Sequence, residues 1–150
     1  MILIIGTFGQ VTNGQFIQNV AALVSRANDW TDRFKSFIDS QFDNDNHYIG
    51  TDSYETYVFR QGAFSGASMA FSLAIDDCVS LNLQSTDPES YRWLNRSNAD
   101  IAYRNGQRPS WYKSLSAELK KAWDAGYLRG CSFEPGRNAR FPNVWEWEYH

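Results

Sequence analysis

Apolar side chains recur at Phe16, Val20, Leu23 and Ala27, the three-and-four spacing of one helical face. Thr12 or Asn13 stands where an N-cap belongs. A hairpin turning at Asn13-Gly14 competes with this helix, but the helical spacing favours the helix. A second stripe, Trp30, Phe34, Phe37 and Ile38, predicts another helix, capped at Asp29 or Thr31 and dissolving into the polar run Asp39–Asn46. Upstream, Ile2–Ile5 is a short continuous apolar run of strand character, and Gly6 and Gly9 loosen the chain after it.

From Tyr54 the pattern alternates. Tyr54, Thr56, Val58 and Arg60 fall on one side and Glu55, Tyr57, Phe59 and Gln61 on the other, which predicts a strand. The small residues of GAFSGASMAF read as a flexible link. Phe71, Ala74, Ile75, Cys78 and Val79 return to helical spacing, with Cys78 on the apolar face. Asp87, Pro88 and Glu89 open a further helix that closes near Asn105-Gly106. Ser110 is the expected cap of the next, with Trp111, Leu115, Leu119, Ala122 and Trp123 as its stripe and Gly126 or Gly130 as its stop. After the loop Glu134–Asn143, VWEWEYH alternates again: Trp145, Trp147 and Tyr149 against Glu146 and Glu148. This terminal strand is expected to pair into a sheet or dock on a partner. The sum is an α+β fold, a helix-rich single domain over residues 1–150 with a small mixed or antiparallel sheet.

Composition adds bounds. At 150 residues, 43% apolar and 21% charged, the chain suits one folded domain with a real core. Six Trp, eight Tyr and ten Phe supply large rings for that core and for an interface. The net charge of −3 is uneven: residues 1–100 hold twelve acids and six bases, residues 101–150 five acids and eight bases. Arg129, Arg137 and Arg140 are too sparse for a nucleic-acid face, so none is expected. The opening MILIIGTFGQ lacks a basic segment and its apolar run is short, so neither a signal peptide nor a membrane span is expected. Cys78 and Cys131 form no CxxC and are read as reduced thiols in a cytoplasmic protein.

The chemistry-bearing motifs are few. Phosphate-loop, dinucleotide, HExxH and nucleophile-elbow signatures are missing. Asp43, Asp45 and His47 alternate as in a calcium loop, but Tyr48 and Tyr54 stand where that loop needs Gly and an acid. The reading therefore expects no metal and no cofactor. Gly50-Thr51, Arg60, Ser85-Thr86-Asp87 and Glu146-Trp147-Glu148 together resemble, in part, the nucleotide-holding strands of ADP-ribosyltransferases. Ile49 occupies the place of that family's strand histidine, and His47 lies two positions early. The resemblance implies a nicotinamide-nucleotide enzyme with Arg60 on a strand and a Glu146/Glu148 pair.

The function expected from these residues is a non-enzymatic protein-protein interaction module, specifically a phage or mobile-element inhibitor of a host defence complex. The alternatives are a divergent ADP-ribosyltransferase-like enzyme and a virion or assembly subunit. The expected partner is a protein, met by Glu146 and Glu148 on the acidic side of the terminal segment and by Arg137 and Arg140.

Overall fold

The computed structural model describes residues 13–80, 108–132 and 141–150. Three α-helices carry it: α1, Asn13–Ser40; α2, Tyr54–Ser80; and α3, Ala117–Cys131. Short 3-10 turns at Ser110–Ser114 and Val144–Glu146 complete the regular structure. Among the described residues there is one isolated antiparallel bridge, Phe42 with Tyr48, and no sheet. The expected α+β class is therefore wrong here: the described fold is helical.

The two predicted helices of the first stretch are one helix of 28 residues. The stripes join without a phase break, so Leu23, Trp30 and Phe34 are buried on the same face. Neither proposed internal cap acts as one. The Thr31 hydroxyl donates to the Ala27 carbonyl at 2.9 Å, and Asp29 pairs with Arg33 on the surface at 3.2 Å.

The predicted strand at Tyr54 and the flexible link after it are both part of α2, a single helix of 27 residues. Its start is set by Ser53, whose hydroxyl accepts from the Thr56 amide at 3.1 Å. The alternation misled because this helix is enclosed: every residue from Thr56 to Arg60 is buried, on all sides of the cylinder. A helix wrapped by neighbours loses its 3.6-residue signature, and tyrosine, threonine, valine and phenylalanine then read as strand.

Wrapping is possible because α3 lies against α2 at backbone distance. A methyl group at Gly126 would strike the Phe59 carbonyl, and one at Gly130 the Ala63 carbonyl. In return, Gly62 faces the Trp123 carbonyl and Gly66 the Tyr127 carbonyl. The paired positions rise together, so the two helices run parallel. The glycines expected to loosen or stop helices are instead the contact surface, with Ala63, Ala67 and Ala122 fully buried beside them. Four helical glycines cost about 1 kcal/mol each relative to alanine. Weak Cα–H···O contacts at about 0.5–1 kcal/mol each return part of that. Dispersion between the two backbones and burial of Trp123 and Tyr127 supply the rest. α3 itself is capped by Ser116, which accepts from the Leu119 amide at 3.3 Å, and not by Ser110. Its N-terminus and that of α2 lie at one level, fixed by the glycine register.

On its other side α2 meets α1 across large rings. Phe64 stacks on Phe34 at 4.0 Å and on Trp30 at 4.4 Å. Phe37 reaches Tyr57, so α1 and α2 form an antiparallel hairpin.

The terminal segment 141–150 runs along α2 in the opposite direction, from Phe141 on Phe71 to Tyr149 on Phe59. It is not the expected strand. Trp30 donates its indole N–H to the Pro142 carbonyl at 2.6 Å, and Arg60 donates Nε–H to the Trp147 carbonyl at 2.8 Å. Val144 is fully buried. The side assignment holds: Trp145, Trp147 and Tyr149 are half-buried and Glu146 and Glu148 exposed. The rings nevertheless diverge, Trp145 to Phe34 and Arg33 of α1 and Trp147 to Arg129 of α3.

The strand Arg60 of the ADP-ribosyltransferase resemblance is thus a helical arginine. Its guanidinium is sealed between the Asp52 carboxylate at 2.8 Å, the Trp147 carbonyl and the Phe37 ring. Ser85, Thr86, Asp87 and the helix predicted at 87–105 lie outside the described residues, as do the early strand at 2–5 and the side chain of Cys78. Cys131 closes α3 as a buried thiol that donates to the Leu128 carbonyl at 3.5 Å.

Gly126→Ala tests the close contact by its sign. On an open helix face the change stabilises by roughly 0.5–1 kcal/mol. Here the added methyl faces backbone atoms that cannot rotate away, so urea unfolding should show a loss of about 1–3 kcal/mol. A gain would mean that the two helices do not touch.

Candidate interaction surface

The segment joining α1 to α2 is built by its own polar groups. The Gln41 amide bonds the Ile38 carbonyl at 3.0 Å and closes α1. The Asp43 carboxylate then accepts the Asp45 amide at 3.0 Å and the His47 amide at 2.8 Å. Asn46 takes a left-handed φ of 66°, a conformation asparagine tolerates. Asp43 and His47 pair again through backbone at 2.9 Å, and the Ile49 amide returns to the Gln41 carbonyl at 2.8 Å. Asp43–His47 is thus a turn, with the Asp43 carboxylate organising its amides. His47 is exposed, its Nδ1 3.5 Å from Asp43. Among the described residues no trio of His, Cys, Asp or Glu is placed to hold a metal ion.

Below the turn, four rings form a nest. Phe42 meets Tyr48 and Tyr57 edge-on, and Tyr54 stacks on Tyr57 with centroids 5.4 Å apart. The Tyr48 hydroxyl donates to the Asp52 carbonyl at 2.9 Å, and Gln61 donates to the Tyr57 hydroxyl at 2.7 Å. The loop backbone is thereby fixed from both ends. It nevertheless holds Ile49 at 57% exposure and Tyr54 at 41%.

The entry to α3 reaches the same end of the bundle, because α2 and α3 start level. Tyr112 is clamped there. Its hydroxyl donates to the Asp124 carboxylate at 3.0 Å, its ring meets Trp123 edge-on, and Arg108 and Lys120 both lie over it. Arg108 also pairs with Asp124 at 4.0 Å. The turn so anchored leaves Trp111 at 42% exposure. Sequence periodicity had placed Trp111 in the helical stripe. It escapes because α3 begins only after Ser116.

Three of the large apolar side chains that remain exposed, Ile49, Tyr54 and Trp111, thus share the hairpin end. The charges around them are divided. Gln41–Glu55 carries Asp43, Asp45, Asp52 and Glu55 without a Lys or Arg, whereas Arg108–Lys121 carries four bases and Glu118. The expected binding residues Glu146 and Glu148 are exposed on the terminal segment, Glu148 3.9 Å from His150, along the flank leading to this end. Arg137 and Arg140 lie outside the described residues. These segments therefore combine exposed apolar side chains with charges of both signs. Compared with family models, curated proteins and solved structures, the chain matches none of them.

Burial raises the hydroxyl pKa of Tyr48, Tyr57 and Tyr112 above 10.0, with Asp52 adding to the shift at Tyr48 and Asp124 at Tyr112. The neutral phenol is the favoured form, so its contribution to stability is complete below the unfolded value and lost as pH climbs through the raised folded values. Phenolate absorbance should show Tyr48, Tyr57 and Tyr112 titrating late, and stability should fall above about pH 10 with no change from these groups near pH 7. Titration of all eight at or below the ordinary value would contradict the nest and the clamp.

Proposed function

We propose that the chain is a non-enzymatic protein-interaction module that docks through its hairpin end. The observation that supports this most is a loop fixed by its own hydrogen bonds that keeps Ile49 in water, with Tyr54 exposed at the start of α2 and Trp111 exposed before α3. Exposing large apolar groups on a rigid backbone lowers the ordering cost of binding, and Tyr and Trp are the residues on which contact energy concentrates. Glu146 and Glu148 extend the acidic rim. The specific form of the reading is an inhibitor, from a phage or mobile element, of a host defence complex in the cytoplasm. No helix among the described residues is long and apolar enough to cross a membrane.

A photo-crosslinking side chain placed at Tyr54 or Trp111 in the producing cell tests the reading. Discrete protein adducts are expected from both positions and not from the exposed Gln18 of α1. Adding Ile49→Asp should abolish them. Equal adducts from Gln18, or none from the hairpin end, would contradict it.

A further inference from the structure

The two halves of the hairpin end carry opposite charge, and they come from opposite sides of α2. The acidic half belongs to the α1–α2 loop, with Asp45 and Glu55 exposed. The basic half belongs to the turn leading into α3, with Lys113 and Lys121 exposed. A foreign partner of one sign is attracted by one half and repelled by the other. A partner divided in the same way satisfies both. The molecule known to carry that division is another copy of this chain: turned about a two-fold axis through the end, it sets each acidic half against a basic half. The exposed rings of Tyr54 and Trp111 and the side chain of Ile49 lie at this end to be covered by the same contact.

We infer that the hairpin end is a self-association surface whose partner is a second copy of this chain, joined as an isologous dimer. The inference rests on the reading of this end as a docking surface and names its occupant. Part of each half is already used internally. Asp52 is bound to Arg60, and Asp124 to Tyr112 and Arg108. Asp45, Glu55, Lys113 and Lys121 stand at the rim, where opposite charges steer encounter and like charges repel.

Sedimentation of the full chain gives the test. The wild-type protein should dimerise at concentrations up to ~100 µM. Salt should weaken the dimer. Asp45→Lys with Glu55→Lys makes both halves basic, and Lys113→Glu with Lys121→Glu makes both acidic. Each double variant should retain the wild-type helical circular dichroism and dimerise at least ~tenfold more weakly. Mixed one to one, the two should form a heterodimer within ~threefold of wild-type strength, since every acidic half again meets a basic one. Ile49→Asp, at an exposed site, should be monomeric without any change in rim charge. A wild-type monomer throughout, a double variant that dimerises like the parent, or a mixture that stays monomeric would each overturn the inference. Crosslinks from Tyr54 to a different protein, with the wild-type chain monomeric, would overturn it and leave the docking reading standing. Absence of crosslinks and of dimer would remove both.

Discussion

The contact between the α2 and α3 backbones sets the geometry of everything else described. Gly62 and Gly66 on one helix and Gly126 and Gly130 on the other remove the side chains that normally hold helices 8–10 Å apart. With the space gone, each backbone packs against the carbonyls of the other in a defined register. That register makes the helices parallel and brings their N-termini to one level. The loop from α1 and the turn before α3 then lead into level helix starts on opposite sides of α2. The small-residue pattern is familiar from helix pairs in membranes, where packing replaces the hydrophobic effect. Here it makes room for aromatic layers on the remaining faces of α2.

Those layers depend on a second constraint, the buried Arg60. Its desolvation is unfavourable, and pairing with a half-exposed Asp52 does not by itself make it a source of stability. What it does is connect. One guanidinium bonds the loop carboxylate, holds the Trp147 carbonyl and covers the Phe37 ring. Trp30 repeats the device from α1 by gripping the Pro142 carbonyl. The terminal segment, which lacks sheet hydrogen bonds, is thereby held by side-chain donors and by rings inserted on both sides. An apolar residue in place of Arg60 would leave the Trp147 carbonyl to find another donor.

The helical content was legible where one face is buried and one is wet. Leu23, Trp30 and Phe34 keep a 3.6-residue spacing that predicts their burial, and the only error was to break α1 where its stripe continues. The same logic failed for α2 because burial of Thr56 through Arg60 leaves no wet face to define a period. The signal that was present lies in the small residues: Gly62, Ala63, Gly66, Ala67 and Ala70 recur at three and four, the spacing of a helix contact. The terminal segment shows the converse. Its alternation assigned the wet and covered sides of Trp145–Tyr149 although Val144–Glu146 is a 3-10 turn and the chain is extended only from Trp147. The exposure of Ile49, Tyr54 and Trp111 was not legible, since large apolar residues are ordinarily assigned inward. Only the tertiary register brings these three to the same end.

The proposed docking end rests on the helix contact, because that register sets the level of the α2 and α3 starts. Nuclear Overhauser contacts across the glycines measure that register most directly. The account requires cross-peaks from the Gly126 Hα protons to the Ala63 amide, from Gly130 to the Ala67 amide, and from Gly66 to the Cys131 amide. That series, rising together along both helices, is the expected result. Its absence, or a series that falls on one helix as it rises on the other, would contradict the parallel contact and the shared end built upon it.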